Sequence, residues 1–176
     1  MWPENRLETI LERQGAPRVE LRDAGAALEH FAAWVDTLGP PEYAGPALRA
    51  RVLLELKTVA EQLDASGLEG QPGGYDRRVL FEIPGRWTLA VIILRPGQQT
   101  EAHDHGGWGC AVTVQGIERD QRLTHGVGGR LEVLSERDYP AGAGYSFDAL
   151  AIHQPLGADP QRVTVGLHFL VHADED

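Results

Sequence analysis

The sequence predicts a mainly β domain, an antiparallel sandwich or small barrel, that follows a helical segment. In the first 70 residues, apolar side chains recur at intervals of three and four, the period of an amphipathic helix. From Gly73 onward the apolar runs are short and are separated by glycine and proline, as in antiparallel β domains. A chain of 176 residues is long enough for one domain with a hydrophobic core. We therefore expect residues 1–70 to pack on a barrel formed by residues 71–176.

Two helices are expected in the N-terminal segment. The first runs from Leu21 to Leu38, stops at Gly39-Pro40-Pro41, and carries one apolar stripe made of Ala24, Leu28, Phe31, Val35 and Leu38. The second begins near Pro46, because proline is favourable in a first turn, and ends before Ser66-Gly67. Its stripe is made of Leu48, Val52, Leu56, Val59 and Leu63. Both stripes predict helices that pack against the rest of the domain.

The remainder of the chain predicts strands joined by turns. Apolar runs that indicate strands are Val79 to Ile83, Trp87 to Leu94, Cys110 to Val114, Arg130 to Leu134, and Arg162 to Val171. Turns are predicted at Pro84-Gly85, Pro96-Gly97 and Gly126 to Gly129. Because no helical pattern alternates with these runs, we expect an antiparallel β structure.

The charge of the chain limits its partners. A net charge of -10 and a pI of about 5.1 disfavour nucleic acid and anionic membranes, because like charges repel during approach. The first residues, Met1-Trp2-Pro3-Glu4-Asn5-Arg6, lack the apolar core of a signal peptide, and no run approaches the ~20 apolar residues of a membrane span. We expect a cytoplasmic protein that binds neither nucleic acid nor membrane, and its oligomeric state stays open.

The single cysteine, Cys110, excludes an internal disulfide framework and a zinc site built from several thiolates. Any metal would be held by nitrogen and oxygen ligands. Cys110 itself is expected to be a small buried residue of a strand, the commoner role of an unpaired cysteine.

Three histidines form a candidate metal site. His103 and His105 are separated by one residue, so in an extended strand their side chains point the same way. His153, in the apolar stretch Ala151-Ile152-His153, would reach them from another strand. Three neutral imidazoles leave the full charge on a divalent metal and up to three open positions, which suits a substrate that brings its own anionic ligand, such as a thiolate. The alternative is that these are ordinary hydrogen-bonded histidines.

Two carboxylates lie close to the histidine pair in the sequence. Glu101 is two residues before His103, on the same face of the predicted strand, and is an alternative further ligand. Asp104 should point to the opposite face, where it either orients a ligand or is simply exposed.

Several spaced motifs indicate a family. Gly97, five residues, His103-x-His105 and then Gly116 resemble the first motif of the cupin superfamily. The string His103-Asp104-His105-Gly106-Gly107-Trp108-Gly109 resembles bacterial proteins of the cysteine dioxygenase family. Tyr75-Asp76-Arg77 is similar to the Tyr-x-Arg element of the cysteine-oxidising members. His168 follows His153 by 15 residues, which is the spacing in that family between the last metal ligand and a histidine that lies behind the ligands. The resemblance covers about residues 75 to 170.

The resemblance implies a fold, a cofactor and a reaction. The fold is the cupin β-barrel, a double-stranded β-helix of jelly-roll type. His103, His105 and His153 would bind Fe(II), and a small thiol carboxylate of the cysteine or 3-mercaptopropionate type would be oxidised by O2 to its sulfinate. Arg77 would hold the substrate carboxylate through two parallel donors, Tyr75 would add a phenolic hydrogen bond, and His168 would stand behind the metal ligands.

The chain departs from this family at two positions. Leu170 and Gly166 stand where family members have a tyrosine and a serine around the histidine that corresponds to His168. Two other functions therefore stay open: a cupin enzyme with another metal or reaction, and a cupin that binds a metal or small molecule without turnover. Trp108 is expected either to line the pocket or to pack beneath the loop, while His30 and His125 have no supporting pattern.

Overall fold

The computed structural model describes residues 25–39 and 43–172. Helix α1 spans Gly25–Leu38 and helix α2 spans Pro46–Glu61, with Pro46 in the first turn as predicted. The first four residues predicted for α1, 21–24, lie outside the described residues. No helix in the described ranges is long and apolar enough to cross a membrane.

Eight strands lie within the described part of the chain. Their bounds are β1 Asp76–Ile83, β2 Trp87–Leu94, β3 Gly109–Gln115, β4 Ile117–His125, β5 Leu131–Pro140, β6 Gly144–Phe147, β7 Ile152–Gly157 and β8 Thr164–Val171. The predicted bounds of β2 are confirmed, whereas β5 continues well past Leu134 and β4 and β6 were not predicted. The apolar pattern failed on β4 because its buried positions carry Glu118 and Asp120, and on β5 because nearly all of that strand is exposed.

The strands form two sheets, and within each sheet they pair in the nested order of a jelly roll. One sheet has the order β1-β2-β8-β3-β6 and the other β5-β4-β7. Residues 99–103 extend the second sheet through two bridges to β7, Gln99 with Leu156 and His103 with His153. Thus β2 pairs with β8, residues 99–103 with β7, β3 with β6, and β4 with β5, which is the nesting of a jelly roll. The predicted fold class, a mainly β jelly-roll barrel (double-stranded β-helix) with an N-terminal helical segment, is confirmed.

The main hydrophobic core lies outside the barrel, between the helices and the five-stranded sheet. Its sheet side is formed by alternate residues of β2 and β8, namely Trp87, Leu89, Val91, Ile93, Val165, Leu167, Phe169 and Val171. The helices contribute most of their predicted stripes, and the ring of Phe31 contacts that of Phe169 edge-on at 5.6 Å. Leu38 does not follow the prediction, since it is 37% exposed in the last turn of α1. Because the apolar side chains gather here, the barrel interior is available for polar groups.

Two residues near the histidine motif belong to this outer core. Cys110 is fully buried there, and burial raises the pKa of its thiol to about 12. Trp108 is also buried, with its ring centroid 5.7 Å from that of Phe169. Trp108 therefore packs beneath the sheet, and the alternative in which it lines the metal pocket is wrong.

Helix α2 offers a matched test of this packing. Leu56 is fully buried and Leu54 is 65% exposed on the same helix. Leu56→Ala should lower the free energy of unfolding by about 2–5 kcal/mol, because it leaves a cavity in the outer core. Leu54→Ala should change it by less than about 0.5 kcal/mol. Urea denaturation of both variants measures the difference, and equal losses would contradict the packing.

Candidate metal centre

Three imidazole nitrogens converge inside one end of the barrel. The Nε2 atom of His105 lies 3.1 Å from that of His103 and 3.0 Å from that of His153. His153 is fully buried, whereas His103 and His105 are partly buried. The structure thus brings together the three histidines singled out in the sequence, and in the described part of the chain they form the one cluster of His, Cys, Asp and Glu able to hold a metal ion.

Backbone pairing sets this arrangement. The amide of His103 donates to the carbonyl of His153 at 3.0 Å, and the amide of His153 donates back at 2.9 Å. An extended strand was expected at residues 103–105, but these residues do not form a regular strand. Their contact with the sheet is this single bridge. The two side chains nevertheless reach the same side, as the Nε2 distance shows.

The nitrogens fit a shared divalent metal. Two nitrogen ligands about 2.1 Å from one metal and at right angles to each other are about 3 Å apart. Burial, with the neighbouring His153 and His103, lowers the pKa of His105 to about 2. Burial also lowers the pKa of His153. Both rings are therefore neutral near pH 7, the form that binds a metal.

Two of the histidine rings are held in place by hydrogen bonds at Nδ1, the nitrogen that points away from the cluster. The Nδ1 atom of His103 lies 2.6 Å from the carbonyl oxygen of Glu101, and that of His153 lies 2.9 Å from Oδ1 of Asp120. As Nδ1–H donors, both rings turn a free Nε2 lone pair toward the cluster. Arg122 forms an ion pair with the other oxygen of Asp120. Burial raises the pKa of Asp120, but His153 and Arg122 outweigh it and the pKa is lowered, so Asp120 stays ionised.

An apolar wall borders the histidines. The ring of Phe147 stacks on His105 with a centroid distance of 5.1 Å, and its centroid is 4.6 Å from that of His153. Phe147 belongs to a small buried cluster with Ala111, Tyr145 and Leu170. Leu170 is therefore part of the barrel interior.

A second polar group lies deeper in the barrel. The hydroxyl of Tyr145 donates to Oε1 of Glu118 at 2.7 Å, and Nε2 of His168 lies 3.2 Å from Oε2. Burial raises the pKa of Glu118, but its interactions with His168 and Tyr145 outweigh it and the pKa is lowered. Burial and the charge of Glu118 raise the pKa of Tyr145 well above its usual value, so the phenol keeps its proton.

Arg77 lies near the start of β1 and Tyr75 directly precedes the strand; both are exposed, Tyr75 by 41%. The positive charge of Arg77 is close enough to His105 to contribute to lowering its pKa. The neighbouring Arg78 points the other way along the strand and forms an ion pair with Asp76 at 2.8 Å. The two adjacent arginines thus have different surroundings.

The carboxylate that orients a histidine is not one of the two that lie next to the histidine pair in the sequence. The side chain of Glu101 is exposed and lies outside the cluster, so its carbonyl is what contacts a histidine. Asp104 is exposed, and the carboxylate that orients a histidine is Asp120 instead. Asp120, Glu118 and Tyr145 were missed, and the signal that marks the first two is the alternation of acidic residues along β4.

Comparison with known proteins gives structural likeness at low sequence identity. No family model matches the chain. A cupin superfamily protein from Desulfitobacterium hafniense DCB-2 is 13% identical, with 76% of this chain and 94% of that chain covered and a TM-score of 0.47. A conserved protein with a double-stranded β-helix domain from Klebsiella pneumoniae is 17% identical over 61% and 80%, with a TM-score of 0.48. KdgF from Halomonas sp. is 15% identical over 61% and 87%, with a TM-score of 0.45. Likenesses this low indicate nothing about substrate or reaction.

Asp120 provides a test of the metal centre. Asp120→Asn removes the charge that supports His153, so affinity for Fe(II) or Co(II) should fall by about 10- to 100-fold. Asp138→Asn is the control, because Asp138 forms an exposed ion pair with Arg119 on the same hairpin. Competition with a chromophoric chelator measures both affinities. Equal affinities in wild type and Asp120→Asn would contradict the assignment.

Proposed function

We propose that this protein is an iron-dependent thiol dioxygenase that oxidises a small thiol carboxylate, of the cysteine or 3-mercaptopropionate type, to its sulfinate. One thiol and one O2 are consumed, and both oxygen atoms end on sulfur. The observation that carries the proposal is the convergence of three imidazole Nε2 atoms, with the charge of Arg77 close enough to His105 to help lower its pKa.

His103, His105 and His153 would hold the metal through their Nε2 atoms. When bound, Fe(II) would supply open positions for sulfur and O2 and the electrons that activate O2. An all-histidine ligand set adds no negative charge, so the site favours a substrate that arrives with its own anionic donor. Phe147 and Leu170 shield one side of this space from water.

Arg77 would bind the carboxylate end of the substrate. It is exposed and near His105, and among the described residues no carboxylate forms an ion pair with it. A planar guanidinium offers two parallel donors to the two oxygens of a carboxylate. Tyr75, two residues earlier in the chain, would add a hydroxyl donor. The proposal also places the protein in the cytoplasm, where small thiols are kept reduced.

Oxygen uptake tests the reaction. Iron-loaded protein should consume O2 with cysteine or 3-mercaptopropionate, and labelled O2 should place both labelled atoms in the sulfinate. His153→Ala should lose most of its bound iron and its oxygen uptake, because a buried ligand is removed. His125→Ala, an exposed histidine of β4, should retain both. Metal binding without uptake for any thiol tested would favour a non-catalytic cupin or another reaction.

The two adjacent arginines test the carboxylate site. Arg77→Ala should raise KM for thiol carboxylates by about ten-fold or more, because a charge-assisted contact is lost. The KM for cysteamine, which lacks a carboxylate, should change by less than about two-fold. Arg78→Ala should affect neither substrate, since Arg78 pairs with Asp76. An equal rise for both substrates in Arg77→Ala would dismiss this role.

A further inference from the structure

A fully buried carboxylate lies in the barrel with no part in holding the three histidines. Glu118 is 0% exposed and interacts with two side chains, Tyr145 and His168. A buried charge is costly unless it is hydrogen-bonded, and burial of such a group next to a reactive site often reflects function.

The backbone of β8 makes room for this carboxylate. A Cβ atom on Gly166 would overlap Oε2 of Glu118 and would lie 2.8 Å from Nε2 of His168. No side chain can therefore occupy position 166 while Glu118 keeps its place. The glycine at the position where a serine was expected is what lets Glu118 be the partner of His168.

Glu118 determines which nitrogen of His168 carries a proton. An ionised carboxylate only accepts hydrogen bonds, so the Nε2 atom facing it must be the N–H donor. The Nδ1 atom then has a lone pair, and it has no hydrogen-bond partner among the described residues. His168 is thus prepared to accept a proton at Nδ1, and the resulting imidazolium would be paired with Glu118 at once.

The ring of Tyr145 connects His168 to the metal centre, because its centroid lies 6.5 Å from that of His168 and 6.3 Å from that of His153. A charge on His168 would lower the pKa of both His105 and His153. The titratable groups beside the ring of His168 are Glu118 on β4 and Tyr145 on β6, and its charge also acts on His153 and His105. Asp120, also on β4, acts on the charge of Glu118. Of these groups, Glu118 is the one that contacts the ring of His168 through a hydrogen bond.

We propose that Glu118 is a positioning residue that makes His168 the acceptor of the substrate thiol proton. This rests on the proposed thiol oxidation. In the step, the S–H bond breaks, the electron pair stays on sulfur as a thiolate, and the proton forms an N–H bond at Nδ1 of His168. The imidazolium remains beside the carboxylate of Glu118 until the proton leaves to solvent.

The tautomer of His168 can be read without activity. In full-length protein loaded with diamagnetic Zn(II), nitrogen-15 spectra of the histidine rings should show His168 with its proton on Nε2, assigned by loss of the signal in His168→Gln. Glu118→Gln should shift His168 away from this single tautomer. A proton on Nδ1 of His168 in the wild type would overturn the proposal, even if the variant did not fold.

Enzyme kinetics provide a second test, which is independent of the tautomer measurement. Glu118→Gln, at wild-type iron content and melting temperature, should lose about ten-fold or more in kcat at pH 7, with KM changed less than about three-fold. The loss should shrink toward pH 9.5, where the free thiol ionises without help. Gln121→Glu, an outward-facing change on the same strand, is the control and should keep wild-type kinetics. A loss that is the same at every pH would overturn the role in proton transfer.

Together, the tautomer measurement and the kinetics distinguish a failure of this inference from a failure of the proposed function. If wild-type protein takes up no O2 with any thiol, the dioxygenase proposal fails, while the tautomer of His168 still reports whether Glu118 positions it. If uptake occurs but Glu118→Gln leaves both the tautomer and kcat unchanged, the inference fails and the dioxygenase proposal stands.

Discussion

The pair of backbone hydrogen bonds between His103 and His153 is the constraint on which the site depends. It joins an irregular segment to β7 and brings together two side chains fifty residues apart in the sequence. His105 then completes the cluster, because it lies two residues from a position already held in place. Nearby Gly97 and Gly116, both at positive φ, mark the turns that the flanking sequence motif requires.

The location of the hydrophobic core explains how the barrel tolerates so many polar groups. The helices and the outer face of the five-stranded sheet bury most of the large apolar side chains. The barrel interior can therefore carry Glu118, Asp120 and His153 from the three-stranded sheet and His168 from the five-stranded sheet, each of which has a hydrogen-bond partner. In the five-stranded sheet the two faces thus have different roles, and β8 contributes Phe169 to the outer core and His168 to the interior.

The sequence predicted the fold class and the pair His103 and His105 from local patterns, and His153 from a separate apolar stretch fifty residues later. Helical stripes, β2 and the His-x-His spacing are read over a few residues. The partners of those histidines were not predictable in the same way. Asp120 and Glu118 alternate with Arg119 and Gln121 on β4, a pattern that equally describes a solvated strand. Only the pairing of β4 with β7 shows which face is inside.

The outward orientation of Cys110 has a consequence for a protein whose chemistry would act on sulfur. Its thiol faces the helices, on the side of the sheet away from the three histidines, and burial keeps it protonated at neutral pH. Oxidants react chiefly with exposed thiolates, so this thiol would be protected from damage during the proposed turnover. A thiol dioxygenase arranged in this way would not compete with its substrate for oxidation.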